Sequence, residues 1–167
     1  MRAKFGGDLR LIGFNVFNRR VVLYCRRVER VAGLNSTLKD GKHIGMVDID
    51  RDSLENLIKE TEAVMSKYRV GRADIMSTGK PGGYHVYLWG RLDFKESLQA
   101  MLEFTGVDLQ HVRWTIKRGH ATLRLSPKSG RKITKVETLH NLAYEESFMQ
   151  DLTSWVKYQT GGLDDGR

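Results

Sequence analysis

Residues 73–89 read ADIMSTGKPGGYHVYLW. Two runs, ADIMST at 73–78 and YHVYLW at 84–89, flank Gly79-Lys80-Pro81-Gly82-Gly83. β-Branched and aromatic residues on both sides of a Gly/Pro turn predict two strands joined as a hairpin. Alternation puts Tyr84, Val86 and Leu88 on one face of the second strand and His85, Tyr87 and Trp89 on the other. The exposed N–H groups of a glycine-rich loop, together with Lys80, can cradle phosphates. His85 would then donate to a phosphate oxygen. The order of a Walker A loop is absent. A plain hairpin turn with a half-buried histidine fits the same residues.

Upstream, HIGMVDID (43–50) reads as a strand, and residues 52–68 carry Leu54, Leu57, Ile58, Val64 and Met65 at helical spacing. Val47 and Ile49 face a core, so Asp48 and Asp50 leave the opposite side together. Two carboxylates this close repel, and a shared cation relieves the repulsion. An all-oxygen set suits Mg²⁺ or Mn²⁺. A D-x-D pair is short, and a strand end whose aspartates meet solvent and cap the next helix is an open alternative.

Downstream, the segment after Asp93 has helical spacing and Gly106 as a stop. HVRWTIK and HATLRLS then read as a hairpin turning at Arg118-Gly119. Residues 131–139 read as a strand and 143–158 as a last helix burying Phe148, Leu152, Trp155 and Val156. RVVLYCRR at 20–27 reads as an early strand. This order predicts an α+β protein, helices packed on a largely antiparallel sheet. One domain over 1–160 with a loose tail at 161–167 is expected.

The chain has 167 residues and a net charge of +8, with a pI of about 9.7. Residues 1–31 hold eight basic side chains and two acids; residues 111–137 hold eight and one. Clustering of this kind predicts a face for a polyanion, and nucleic acid is the commonest one. No apolar run approaches the roughly 20 residues of a membrane span. MRAKFGGDLR lacks the apolar stretch of a signal peptide. The lone Cys25 allows no internal disulfide. No membrane partner and a cytoplasmic location are therefore expected.

Within LRLSPKSGRK (123–132), Arg124 alternates with Leu123 and Leu125, and Lys128, Arg131 and Lys132 surround a Pro/Gly turn. Such a loop can grip a triphosphate or a template backbone, or can be a solvated basic loop. Taken together, Asp48-x-Asp50, the run Ser77 to His85 and Arg124 before its K-S-G loop resemble the archaeo-eukaryotic primase superfamily. That group includes the primase small subunit and the polymerase domain of bacterial end-joining ligases. The resemblance covers roughly residues 43–133.

The resemblance implies an RRM-like sheet backed by helices, with a second small α/β unit. It implies a template-dependent nucleotidyltransferase using nucleoside triphosphates, with Asp48 and Asp50 on Mg²⁺ or Mn²⁺. Ser77, Lys80 and His85 would contact the triphosphate, assisted by Arg124 and Lys128. Arg113, Lys117, Arg118, Arg131 and Lys132 would meet the DNA or RNA template, and other replication subunits are possible partners. The family's third acid comes from a strand before the arginine, where HVRWTIKRGH has none. Glu137, then Asp108, are the candidate substitutes, the alternative being an incomplete site. The family's zinc-binding cysteines are also absent, which makes this a minimal or divergent member. The alternatives are a catalytically degenerate nucleic-acid or replication-accessory module, and an RRM-like RNA-binding protein that stacks bases on Tyr87 and Trp89.

Overall fold

In a computed structural model of the chain, the described residues are 4–5, 9–16, 19–26, 29–127 and 130–160, with side chains described for 31–127 and 130–154. The elements are β1 (Lys4–Phe5), β2 (Leu9–Val16), β3 (Arg19–Arg26), β4 (Glu29–Asn35), β5 (His43–Ile49), α1 (Leu54–Tyr68), β6 (Arg72–Ser77), β7 (Tyr84–Leu92), α2 (Phe94–Leu102), α3 (Leu109–Arg118), β8 (Thr122–Arg124), β9 (Thr134–His140), a 3₁₀ turn at Met149–Asp151, and β10 (Trp155–Thr160). The class is α+β. Where the sequence reads as one domain over 1–160, contacts divide the chain into two compact units: residues 1–30 with 158–167, and residues 31–157. In the first, β1-β2-β3 form an antiparallel meander. Its basic side chains, like Lys128 and the tail 161–167, lie outside the described residues.

In the second unit the 73–89 hairpin forms the centre of a four-stranded antiparallel sheet, ordered β5-β7-β6-β9. The alternation read from sequence decides both of its faces. Val47, Ile49, Ala73, Ile75, Val86 and Leu88 pack against Leu57, Val64 and Met65 of α1 and Ala100 and Met101 of α2. Ile44, Met46, Tyr87 and Trp89 pack on the other side against Leu34, Leu38, Leu123 and Leu152. A smaller sheet, β10-β4-β8, supplies part of that second layer. Tyr87 and Trp89 are 2% and 3% exposed, so base stacking on this face has no surface to use. This corrects the expectation of an aromatic RNA-binding face.

Two elements differ from the sequence reading. Residues 109–118 are helix, not the first arm of a hairpin. Val112, Trp114 and Ile116 alternate like a strand, but the ends decide. The Asp108 side chain accepts the Gln110 N–H at the start, and Gly119, at φ 75°, closes the helix with its N–H on Thr115 O. The inward side chains are then Val112 and Thr115, three apart.

Residues 143–158 are not a helix. Phe148 is half-exposed, Leu152 bridges Leu38, and Thr153 N–H donates to Thr37 O at 2.9 Å before β10 begins. β-Branched and aromatic residues (Trp155, Val156, Tyr158) favour the strand once a partner exists. The 141–146 turn is docked through Gly71, whose N–H donates to Glu145 O and whose carbonyl accepts from Asn141 N–H. A Cβ at Gly71 would lie 2.5 Å from Tyr144 O and 2.7 Å from Glu145 O. Gly71→Ala is therefore expected to lower unfolding stability by about 1–3 kcal/mol in denaturant titration. A change within experimental error would show that this turn is not docked.

Candidate active site

Because Val47 and Ile49 enter the helix-side core, Asp48 is sent to the other face at the end of β5. The register sets it directly opposite His85 on β7, with Met76 beyond it on β6. Two segments then close on this end of β5. Along its outer edge, Asp50 N–H donates to Gly106 O and Asp108 N–H donates to Asp48 O, both at 2.8 Å. On the other side, Asp52 N–H donates to Gly82 O at 3.1 Å. A Cβ at Gly82, itself at φ +69°, would lie 3.2 Å from Arg51 Cα, so the glycine-rich loop seats closely on the turn after Asp50. Arg51 takes a left-handed φ of 65° to make that turn. A non-glycine residue held there is costly and points to a constrained site.

These clamps bring together groups far apart in sequence. Asp108 caps α3 beside Asp48. Lys80 reaches across to Asp50, Nζ to Oδ1 at 2.8 Å. Arg124 on β8 donates to Thr78 O at 3.4 Å and to Ser126 O at 3.2 Å. His85 Nε2 stands 3.7 Å from Asp48 Oδ1, too long for a hydrogen bond.

The electrostatics follow from that crowding. Burial raises the Asp48 carboxyl to about 6, the charges of Asp108 and Asp50 push the same way, and Arg124 and Lys80 oppose them. Burial lowers His85 to about 3, reinforced by Arg124 and by His111, against a smaller pull from the Arg124 main chain that stops short of hydrogen-bond geometry. His85 is thus a neutral imidazole at pH 7. It is 3% exposed, and its Nδ1 makes no hydrogen bond.

The remaining candidates fall into distinct places. Ser77 pairs with Tyr84, on the helix-side face away from His85; its hydroxyl accepts from Gly79 N–H and shapes the loop. The neighbouring Thr78, absent from the sequence reading, is the buried hydroxyl on the site's side, donating to Gly83 O. Arg131 and Lys132 pass 3.2 Å from where a Cβ at Gly79 would be, and so flank the same loop. Arg113, Lys117 and Arg118 are exposed along α3. Glu137, the first substitute for the missing acid, pairs with Ile75 on β9, with β6 and β7 between it and β5. At about 4.8 Å per strand it stands roughly 14 Å away. Asp108 is the acid that reaches Asp48. His111, also absent from the sequence reading, is held by Met46 O at 3.1 Å beneath the site; read as a strand, its segment gave no signal for it.

Among the described residues no three His, Cys, Asp or Glu side chains are gathered as a preformed metal cage. The chemistry of the donors still fits a hard divalent cation: neighbouring carboxylates, one of them raised first by burial and then by the charges of Asp108 and Asp50. Lys80 holds Asp50 in this structure and must leave before Asp50 can serve as a ligand. No family model, no curated protein and no solved structure matches this chain.

Proposed function

We propose that this cleft performs template-dependent nucleotidyl transfer with a divalent metal and nucleoside triphosphates, as primases and related polymerases do. The observation that carries the reading is the convergence of Asp48, Asp108 and Asp50 with Lys80, Arg124 and the neutral His85 at one end of one sheet. The order β5-α1-β6-β7-α2, with β7 between β5 and β6, supports an RRM-like core. The reaction joins a 3′-hydroxyl oxygen to the α-phosphorus and releases pyrophosphate. Asp48, Asp108 and Asp50 would hold Mg²⁺ or Mn²⁺, which supplies Lewis-acid charge to the phosphates. Arg124 and Lys80 offer cations to the triphosphate. When Lys80 turns to a phosphate, it releases the Asp50 carboxylate. His85, being neutral, offers one ring N–H to a phosphate oxygen without adding charge.

Calorimetric titration with a nucleoside triphosphate and Mn²⁺ tests this. A hydrogen bond to a charged group contributes about 1.5–3 kcal/mol. Arg124→Met and His85→Gln are each expected to weaken triphosphate binding by about ten- to a hundredfold. Lys80→Met should raise Mn²⁺ affinity without nucleotide, because Asp50 is freed. Unchanged triphosphate affinity in both the Arg124 and the His85 variants would contradict the reading. A second reading, a non-catalytic module that binds the same ligands, is favoured by the Lys80–Asp50 pair. It predicts binding without incorporation.

A further inference from the structure

Helix α3 carries a face that the cleft does not use. Its ten residues, LQHVRWTIKR, hold three cations and no acid. Arg113, Lys117 and Arg118 are all exposed, and none pairs with a carboxylate among the described residues. Val112 and Thr115 point inward. Helical spacing therefore turns Leu109, Arg113, Ile116 and Lys117 outward together. Leu109 and Ile116 are 60% and 59% exposed, so the helix presents aliphatic surface beside its cations. At the flank, the Trp114 ring holds Lys117 Nζ at 4.9 Å and Arg118 Cζ at 5.1 Å from its centroid. The face ends at Asp108, whose main chain is bonded to Asp48.

We propose that this face binds a single strand of nucleic acid and delivers it to the cleft. Arg113, Lys117 and Arg118 take the phosphates, and unstacked bases rest on Leu109 and Ile116. Trp114 is a positioning residue: by fixing two flexible cations it reduces the side-chain entropy lost when phosphate arrives. Duplex presents phosphates only and turns its bases inward, so the two aliphatics gain nothing from it. A single strand exposes both phosphate and base, and the mixed cationic and apolar face matches that. The helix is about 15 Å long, so its three cations can follow a short stretch of one strand. The delivery of the strand rests on the nucleotidyl-transfer reading; its capture does not.

Fluorescence anisotropy with a labelled oligonucleotide, single-stranded or annealed to its complement, tests the proposal on the full chain without metal or nucleotide. The triple variant Arg113→Gln/Lys117→Gln/Arg118→Gln should reduce the single-strand salt slope by about two, at about 0.7 per lost contact. Leu109→Ser/Ile116→Ser should weaken single-strand binding severalfold, leave the salt slope unchanged and leave duplex binding alone. Trp114→Phe should bind like the wild type and Trp114→Leu should not, because only the aromatic ring holds the cations. The substitutions are on exposed or flanking positions, and thermal melting verifies that each variant is folded.

An unchanged salt slope in the triple variant would overturn the proposal. Equal loss on duplex and single strand in the serine variant would do the same. So would loss of binding to vesicles of phosphatidylglycerol and phosphatidylcholine with oligonucleotide binding intact, which would make the face a membrane surface. If the wild type fails to extend a primer yet the α3 variants behave as stated, the cleft reading falls and the strand-binding face stands. If extension succeeds and the α3 variants bind normally, the reverse holds.

Discussion

Asp48→Asn is expected to lose Mn²⁺ binding and at the same time to unfold at a higher temperature than the wild type at pH 7.5. The two effects share one cause. Asp48 sits half-buried against Asp108 and Asp50, which holds its carboxyl at about 6 instead of 3.8. The folded state therefore binds this proton more tightly than the unfolded chain does. Stability falls as pH rises through the window from about 4 to about 6, and the penalty persists above it. A shift of about two units corresponds to about 3 kcal/mol. A third of the side chain still meets solvent, whose screening reduces the figure to about 1 kcal/mol. Asparagine keeps the shape without the charge, so the melting temperature should rise by about 2–4 °C.

Asp108→Asn is the matched control. Asparagine caps a helix as well as aspartate does, so α3 is retained while the charge beside Asp48 is removed. Metal affinity should fall in this variant too, and the Asp48 carboxyl should return toward its ordinary value. Glu137→Gln, at the far side of the sheet, should change neither property. Calorimetry and melting curves on the three variants decide the matter. Unchanged metal affinity together with a lower melting temperature in Asp48→Asn would mean that the aspartate is structural.

Asp74→Ala should lower unfolding stability by about 3–5 kcal/mol, as expected when one partner of a buried charge network is removed. Asp74 is 6% exposed on β6. Its carboxylate accepts from Trp89 Nε1, Lys135 Nζ and Thr138 Oγ1, each at 2.8 Å, and lies 3.6 Å from Arg72 Nε. Arg72 in turn lies over the Trp89 ring at 4.9 Å and donates to Glu146 at 3.2 Å. One carboxylate thus joins β6, β7 and β9. Removing it leaves the buried indole N–H without its acceptor and takes a carboxylate from beside Arg72, which keeps Glu146. Burial pushes Asp74 upward, but the bonds from Lys135, Thr138 and Trp89 outweigh it and hold the carboxyl below its ordinary value of 3.8. Its stabilisation is therefore present above about pH 4 and lost as pH falls through the lowered pKa. The acid limb of the stability curve should be shallower in Asp74→Ala, and Asp74→Asn, which keeps an acceptor for Trp89, should fall between. Chemical denaturation at a series of pH values would expose an error: a loss under about 1 kcal/mol would mean that the carboxylate is solvated.

The central sheet was legible because its signal is local. Period-two alternation fixed which side of β7 His85 takes, and that of HIGMVDID fixed Asp48. The register that sets them opposite each other is consistent with both patterns but was not stated by either. What stayed hidden depends on contacts between distant segments. Residues 109–118 alternate well enough to read as a strand, and only the Asp108 and Gly119 caps say otherwise. Read as a strand, the segment hides the nearness of Asp108 to Asp48, and Glu137 reads as the better third acid. Trp155 and Val156 fit a helical stripe until β4 offers them a sheet. Ser77 and Thr78 differ by one step of alternation at a strand end, where a turn can rotate the chain either way. The sequence names the aspartates, the histidine and the arginine of the cleft, and the fold selects their neighbours.

Nucleotide incorporation tests the nucleotidyl-transfer reading most directly. The full chain is incubated with a primed template, Mn²⁺ and labelled nucleoside triphosphates, and products are resolved by length. The account predicts metal-dependent, template-directed extension by the wild type and by Glu137→Gln, and none by Asp48→Asn or Asp108→Asn. No incorporation by the wild type on DNA or RNA templates, with or without a primer and with triphosphate binding intact, would contradict it and leave a binding module in its place.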